Sequence, residues 1–538
     1  MLNRCKLVTL SATLFLAACN QTLPVKSLDE TVVETRAGNP FDQIDWARAD
    51  RVCESSVNED YQGPEYTNLW NRLRAGYQFD NITNSRVQKH LDWYAKHPKY
   101  IKRVTERGQL YLHHIVEELE KRDMPTELAL LPIVESAFDP FAYSHGRASG
   151  MWQFIPATGR QYGLKQNWWY DGRRDALAST NAAVEYLDDL NRRFRGDWLL
   201  ALASYNAGGG NVNKSIRRNR NKGKPTDFWS LDLPRETESY VPQLIALSKI
   251  ILEPEKYNIE LTPIANVPYF SVVNVGSQID LAQAASLADV SLNDLYKLNA
   301  GFNRWATDPK GPHRLLVPVD KSEGLKRALG QLPHDSRISW ERYKVKSGDS
   351  LLAIAKHFNT TADVLRDQNN IRGNMIRQGQ MMLIPKASQP EALYALSESQ
   401  RVKRIQNRSK GKSGTRKVRY TVKSGDSLWS IARTYNVKVS QLAKWNAMAP
   451  KDTLKQNQKL IIWSPADRAK LVRSSQKQGN AVIRKVAYQV RKGDSLARIA
   501  GKFNLSVNDI KRWNSVQKSK YIHPGQSLTL FVDVTRTN

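Results

Sequence analysis

At 538 residues the chain is too long for one hydrophobic core and calls for about three or four domains. Its net charge of +29 and pI near 9.9 point to an anionic partner: nucleic acid, a membrane surface or an acidic polymer. Three cysteines exclude a disulfide-stapled scaffold, and no run approaches the ~20 apolar residues of a spanning helix.

The N-terminus narrows the choice of partner. "MLNRCKLVTLSATLFLAACN" has a basic start (Arg4, Lys6), an apolar stretch from Leu7 to Ala18 and small residues before Cys19. This is the layout of a secretory signal over residues 1–18. The "LAAC" ending resembles a bacterial lipobox, which implies cleavage before Cys19 and acylation of its thiol. Asn20 resembles the sorting pattern of outer-membrane lipoproteins, so the expected location is the periplasmic face of the outer membrane, with Cys19 as the lipid anchor. The alternative is an ordinary signal peptide that contains a chance cysteine. With Cys19 acylated, only Cys53 would remain, and no internal disulfide could form. Secretion removes nucleic acid as a partner and leaves cell-wall polymer or anionic headgroups. Residues 19–100 are expected to form an accessory segment packed on the domain that follows.

Residues 101–262 form an α-rich stretch. "MPTELALLPIVESAF" opens with a Pro-Thr start signal, and Leu128, Leu131 and Glu135 are spaced 3 and 4 apart, on one helix face. A carboxylate on an apolar stripe either faces solvent at a helix end or is held in a cleft. In a cleft, burial disfavours its charged form and makes a carboxyl acid available near neutral pH. Spacing alone favours the surface reading.

The flanking residues reverse that preference. "ESAFDPFAYSHGRASGMWQFIPATGRQYGL" resembles the central motif of the soluble, lysozyme-like lytic transglycosylases: Glu135, Ser136, Phe138, Pro140, Ala142, Ser144, Gly146, Gly150, Gln153, Pro156 and Thr158 fall in its pattern. "SYNAG" (Tyr205 to Gly208) and "ETESYV" (Glu236, Tyr240) follow in the family order. One departure is visible, Met151-Trp152-Gln153 where members often carry Leu-Met-Gln. The resemblance implies Glu135 as the one catalytic acid. It would protonate the glycosidic oxygen between MurNAc and GlcNAc, then take the proton of the MurNAc 6-hydroxyl as that oxygen closes onto C1, leaving a 1,6-anhydro end. It also implies that Ser144, Gln153, Tyr205, Asn206 and Tyr240 bind substrate, with Tyr240 orienting Glu135 or stabilising developing positive charge. Core packing is the competing role for Tyr205 and Tyr240. Of Trp152, Phe154, Trp168 and Trp169, Trp152 is the one expected to stack on sugar.

Most glycoside hydrolases use two carboxylates. Asp139 reads as a turn starter before Pro140, and Asp171 and Asp175 flank another turn, so none is a convincing second acid. No metal or cofactor is expected: His113-His114 lacks any ligand spacing, His145 reads as a cleft-rim residue, and "NAGGGNV" lacks the lysine of a phosphate loop.

Toward the C-terminus the chain repeats. "YKVKSGDSLLAIAKHFNTTADVLRDQNN", "YTVKSGDSLWSIARTYNVKVSQLAKWN" and "YQVRKGDSLARIAGKFNLSVNDIKRWN" begin at Tyr343, Tyr420 and Tyr488. Each reads as β-α-α-β, with Ser350, Ser427 and Ser495 as N-caps and one spacing throughout, Gly348–Asn369, Gly425–Asn446 and Gly493–Asn514. The units, at 341–386, 418–464 and 486–533, resemble the LysM domain, a module that binds N-acetylglucosamine-containing glycans. Residues 263–330 align with them from Ile279 to Asn299 but lack the Gly-Asp-Ser turn. They are expected to form a degenerate unit, packed on the preceding domain, that does not bind sugar. The basic linkers at 387–417 and 465–485 are expected to be solvated tethers that keep the units apart.

The fold class expected is α+β multidomain, a mainly α-helical lysozyme-like catalytic domain followed by small βααβ LysM domains. The expected activity is non-hydrolytic cleavage of peptidoglycan glycan strands. The alternatives are a hydrolytic muramidase on the same fold and a non-catalytic wall-binding lipoprotein.

Overall fold

A computed structural model describes residues 66–538, apart from 80, 359, 470–471, 473–482, 504, 515–521 and 534–538. The signal stretch, Cys19, Cys53 and most of the 465–485 linker lie outside the described residues. No described helix is long and apolar enough to cross a membrane.

The first body is helical: α1 (Leu69–Ala75), α2 (Ser85–Ala95), α3 (Pro98–Gly108), α4 (Leu112–Glu120), α5 (Leu131–Ser136), α6 (Pro156–Gln161), α7 (Ala176–Arg193), α8 (Trp198–Ala207), α9 (Gly209–Arg220) and α10 (Arg235–Leu252). Side-chain caps fix where several begin: Asn68, Asn84, Asp175 and Asp197 accept hydrogen bonds from the first turns of α1, α2, α7 and α8. The long α10 buries Tyr240, Val241, Leu244, Ile245, Leu247, Ile250 and Ile251, and each large aliphatic among them contributes about 1.5–3 kcal/mol of burial before entropy. Against it lie α2 and α8, the latter buried from Leu200 to Ser204. From residue 66 onward, the segment assigned to an accessory region is built into this core: Leu69, Trp70 and Leu73 are buried in it, and the Trp70 indole donates to the Thr262 carbonyl at 2.9 Å.

Residues 270–331 form the first β-α-α-β unit: β1 (Phe270–Asn274) pairs antiparallel with β2 (Arg314–Pro318), with α11 (Leu281–Leu287) and α12 (Leu292–Leu298) between them and α13 (Val319–Gln331) after. It packs on the helical body, where Leu298 and Leu316 enter the main core and the Tyr111 hydroxyl donates to the Lys297 carbonyl at 2.9 Å. Three further units follow. LysM 1 is β3 (Ser339–Lys344), α14 (Leu351–His357), α15 (Ala362–Gln368) and β4 (Met381–Lys386). After α16 (Glu398–Arg408), LysM 2 is β5 (Thr415–Thr421), α17 (Leu428–Thr434), α18 (Val439–Trp445) and β6 (Lys459–Pro465). LysM 3 is β7 (Ile483–Gln489), α19 (Leu496–Lys502), α20 (Val507–Trp513) and β8 (Ser527–Asp533).

The repeated residues have one job each. Ser350, Ser427 and Ser495 cap their helices. Asp349, Asp426 and Asp494 each accept the hydroxyl of the strand tyrosine six residues earlier, at 2.6–2.8 Å, together with one backbone N–H. The helix-end asparagines clamp the closing strand: Asn446 donates to the Leu442 and Ile461 carbonyls and accepts from the Ile461 N–H, all at 2.7–2.8 Å. Asn299 makes the same clamp onto Leu316 in the first unit. There Asp280 replaces the capping serine, and the Ser388 N–H and Tyr394 hydroxyl cover it from outside the unit.

Two expectations about the linkers need correction. The 387–417 stretch is not a solvated tether. It contains α16, whose Glu398 pairs with Arg304 at 2.9 Å and whose Arg401 lies over the Phe141 ring at 4.4 Å. Composition missed this because the partners of these charged side chains lie on other domains. Nor are all the units kept apart. Trp429 of LysM 2 meets Trp513 of LysM 3 edge-on at 5.2 Å, and Arg433 pairs with Asp509 beside them.

Candidate active site

Glu135 lies at the C-terminal end of α5, a six-residue helix started by Pro132 in its first turn. The helix stops because Ala137 and Phe138 both take left-handed conformations (φ 54° and 53°), an uncommon pair for residues other than glycine. Their N–H groups turn back onto the Ile133 and Pro132 carbonyls at 3.0 Å. Phe138 is anchored in the core against Gly108, where a β-carbon would stand 2.8 Å from its ring. The turn leaves Glu135 half-buried and Tyr240 of α10 facing it, with the phenol donating to Oε1 at 2.5 Å.

Burial pushes the Glu135 carboxyl up to about 7; the Tyr240 hydrogen bond opposes this and the charge of Glu236 adds to it. Tyr240 and Tyr205 are themselves held far above the ordinary phenol value, first by burial and then by the Glu135 charge, so both remain hydroxyl donors.

The motif after Glu135 folds into a compact loop tied to α5. Ser136 Oγ donates to the Pro132 and Met151 carbonyls at 3.1 and 3.0 Å, which fixes the loop's return beside the acid. Ser144 accepts from the Ala148 N–H at 3.0 Å and holds the loop tip. Gly150 needs to be glycine: at φ 83° its added β-carbon would sit 1.9 Å from the Arg173 carbonyl oxygen. Gln153 is left-handed (φ 50°), and its amide donates to the Gly150 carbonyl at 2.7 Å.

Tyr205 donates to the Trp152 carbonyl at 2.8 Å, and Asn206 on the same helix accepts from Thr237 Oγ1 at 2.8 Å, next to Tyr240's helix turn. The hydrogen bonds therefore join Glu135 with Tyr240, and the Trp152–Gln153 loop with Tyr205. Trp152 is a correction: its side chain is fully buried, with the indole N–H on Thr180 at 3.1 Å, so it has no face to offer a sugar. The aromatic that fills this position is core, as Phe154 and Trp169 are.

The other acids near the motif are committed elsewhere. Asp139 accepts from the Phe141 N–H at 2.9 Å. Asp171 caps a short 3-10 turn and bonds Arg173; burial works against its charge, but Arg174 and Arg173 outweigh this and hold its carboxyl below the ordinary value. Asp175 caps α7 and pairs with Arg314 at 2.7 Å. Ser136 and Glu236 touch the site although sequence reasoning assigns them no role of their own. Both stand within recognised motifs, and the adjacency of Ser136 to Glu135 was the available signal. Among the described residues no group of three or more His, Cys, Asp or Glu could hold a metal.

Residues 114–228 match the Transglycosylase SLT domain, 269–334 the LysM-like domain of the lytic transglycosylase MltD, and 343–385, 420–463 and 488–531 the LysM domain. Membrane-bound lytic murein transglycosylase D of Escherichia coli is 37% identical over 393 residues, 70% of this chain and 82% of its own. A putative tributyltin chloride resistance protein of Alteromonas is 37% identical over 191 residues, 35% of this chain and 90% of its own. The solved structure of the lytic transglycosylase Slt from Pseudomonas aeruginosa aligns with 36% of this chain and 33% of its own at 20% identity and a TM-score of 0.23. The degree and extent of identity to the Escherichia coli protein, together with the order of catalytic, LysM-like and LysM units, mean that the chain belongs to the membrane-bound lytic murein transglycosylase D family.

Proposed function

We propose that this chain is a peptidoglycan lytic transglycosylase in which Glu135 alone serves as acid and then base, with the LysM units holding the glycan. The observation that carries the assignment of Glu135 is a half-buried carboxyl at the end of α5, raised to about 7 and bonded to Tyr240, while the neighbouring aspartates are all committed to turns, caps or arginines. At that value the group is protonated often enough to donate to the leaving glycosidic oxygen and basic enough to take a proton back. The Glu135 proton goes to the GlcNAc O4 as the C1–O4 bond breaks, and the carboxylate then takes the proton of the MurNAc 6-hydroxyl as O6 bonds to C1. Every atom is accounted for without water, and an internal nucleophile needs little further positioning.

Tyr240 orients the carboxyl. The Ser144 hydroxyl, the Gln153 amide and the NH2 of Asn206, whose oxygen is taken by Thr237, face the substrate's N-acetyl and ring groups. Glu236 supports a second reading, because its charge is felt at Glu135 and a hydrolytic muramidase would use such an acid to activate water. The turn position of the 263–330 unit is covered by Ser388 and Tyr394, and glycan binding is assigned to the three later units only. Acylation of Cys19 anchors the enzyme on the periplasmic face of the outer membrane, where its net charge of +29 suits an anionic wall polymer.

Mass spectrometry of muropeptides released from purified peptidoglycan, run beside Glu135→Gln, tests the chemistry. Products one water lighter than hydrolysis products, absent with the variant, are expected. Full-mass reducing ends would establish the muramidase, and an absence of products from the unaltered protein would leave wall binding alone.

A further inference from the structure

LysM 2 is docked on the loop that carries Ser144. Tyr143 donates its hydroxyl to both oxygens of Asp452, at 2.9 and 3.0 Å, and Arg147 Nε pairs with the same carboxylate at 2.9 Å. The two residues bracket Ser144 and stand on either side of the loop tip. Asp452 lies on the turn after α18 and is only 15% exposed, and its Oδ2 also accepts from the Ala449 N–H at 2.8 Å. A second tie runs beside the first. Arg401 of α16 covers the Phe141 ring, and Gln406 of the same helix donates to Asn446 Oδ1 and the Lys459 carbonyl in LysM 2, at 2.9 and 3.0 Å.

One partly exposed ion pair contributes little by itself. Here the contacts are intramolecular, and only residues 409–414 separate α16 from β5, so each raises the effective concentration for the others. The loop they brace returns through Gly150 and Met151 to Ser136, next to Glu135.

We propose that Asp452 is a specificity-determining residue: by bracing Tyr143 and Arg147 it fixes LysM 2 at the mouth of the cleft, so that one glycan strand is held by LysM 2 and cut at Glu135 in a set register. This rests on the reading of the cleft as glycan-cleaving. LysM 2 then measures the distance from its own sugar contacts to the scissile bond, and products of a preferred length result.

The test uses the full chain, Asp452→Asn and the pair Tyr143→Phe with Arg147→Ala, on long glycan strands and on a short oligosaccharide that spans the cleft alone. Asp452→Asn keeps an acceptor for the Ala449 N–H while removing the ion pair; the pair of changes breaks the same contact from the catalytic side. Both are expected to lose the preferred product length and to lower the ratio of kcat/KM on long over short substrate at least about fivefold, with the short substrate cut within about twofold of the unaltered rate. Unchanged product lengths in both variants would overturn the proposal. So would an equal loss on both substrates, which would make the contact a support for the loop, or faster cleavage of both, which would make it a brake. Failure of the unaltered chain to give anhydro ends would instead refute the proposed function.

Discussion

Replacing Glu135 by glutamine tests the site through stability as well as activity. Carrying the carboxyl from its ordinary 4.5 to about 7 corresponds to about 3 kcal/mol of preference for the neutral form in the folded protein. Below pH 4.5 both folded and unfolded chains hold the proton, and the group has no effect. As pH rises through the interval, the unfolded chain ionises first, so stability falls until the native carboxyl ionises near 7, and stays reduced above it. Glutamine never ionises, and its amide oxygen can still accept the Tyr240 hydrogen bond. The variant should therefore match the unaltered protein near pH 4 and exceed it by up to about 3 kcal/mol above pH 8, which for the helical body is about 6–12 °C in Tm. Calorimetry of both proteins from pH 4 to 9 reads this directly, beside complete loss of cleavage by the variant. A pH-independent difference, or a less stable variant at pH 8, would refute the claim that burial holds this carboxyl in its neutral form.

Other expectations follow from the same geometry. In Tyr240→Phe the hydrogen bond that lowers the Glu135 pKa is gone, so the alkaline limb of the pH–rate profile should move to higher pH while kcat falls; an unmoved limb would detach Tyr240 from the acid. Gly150→Ala forces a β-carbon onto the Arg173 carbonyl in a left-handed backbone and should cost more than about 3 kcal/mol, read as a lowered Tm. Asn446→Ala removes the clamp between α18 and β6 and leaves the Ile461 backbone groups unpaired, for a loss of about 2–4 kcal/mol. It should weaken pelleting with sacculi while the short-substrate rate stays unchanged. Deleting residues 341–538 should weaken wall binding and leave some cleavage; because this also removes Tyr394 and Ser388 from the buried Asp280, a deletion beginning after residue 408 should give the more stable protein.

Local pattern determined much of this protein. A strand tyrosine, a Gly-Asp-Ser turn and an asparagine at constant spacing specify each LysM unit, because their partners lie within the same fifty residues: turn aspartate to tyrosine, serine to helix N-terminus, asparagine to closing strand. The same holds for Glu135, whose motif carries its own turn and glycine. Tertiary structure decided what depends on partners far along the chain. Trp152 next to Gln153 reads as a cleft wall until Thr180 and the core are seen to enclose it. The carboxyl's raised pKa comes from burial that only packing creates; Tyr240 opposes it and Glu236 adds to it, each about a hundred residues away. Arg401 falls in the stretch expected from composition to be a tether, and Asp452 lies on a turn of LysM 2. Their partners, Phe141, Tyr143 and Arg147, stand some 260 to 310 residues earlier. Composition registers that a side chain is charged, but only the folded chain brings its partner within reach.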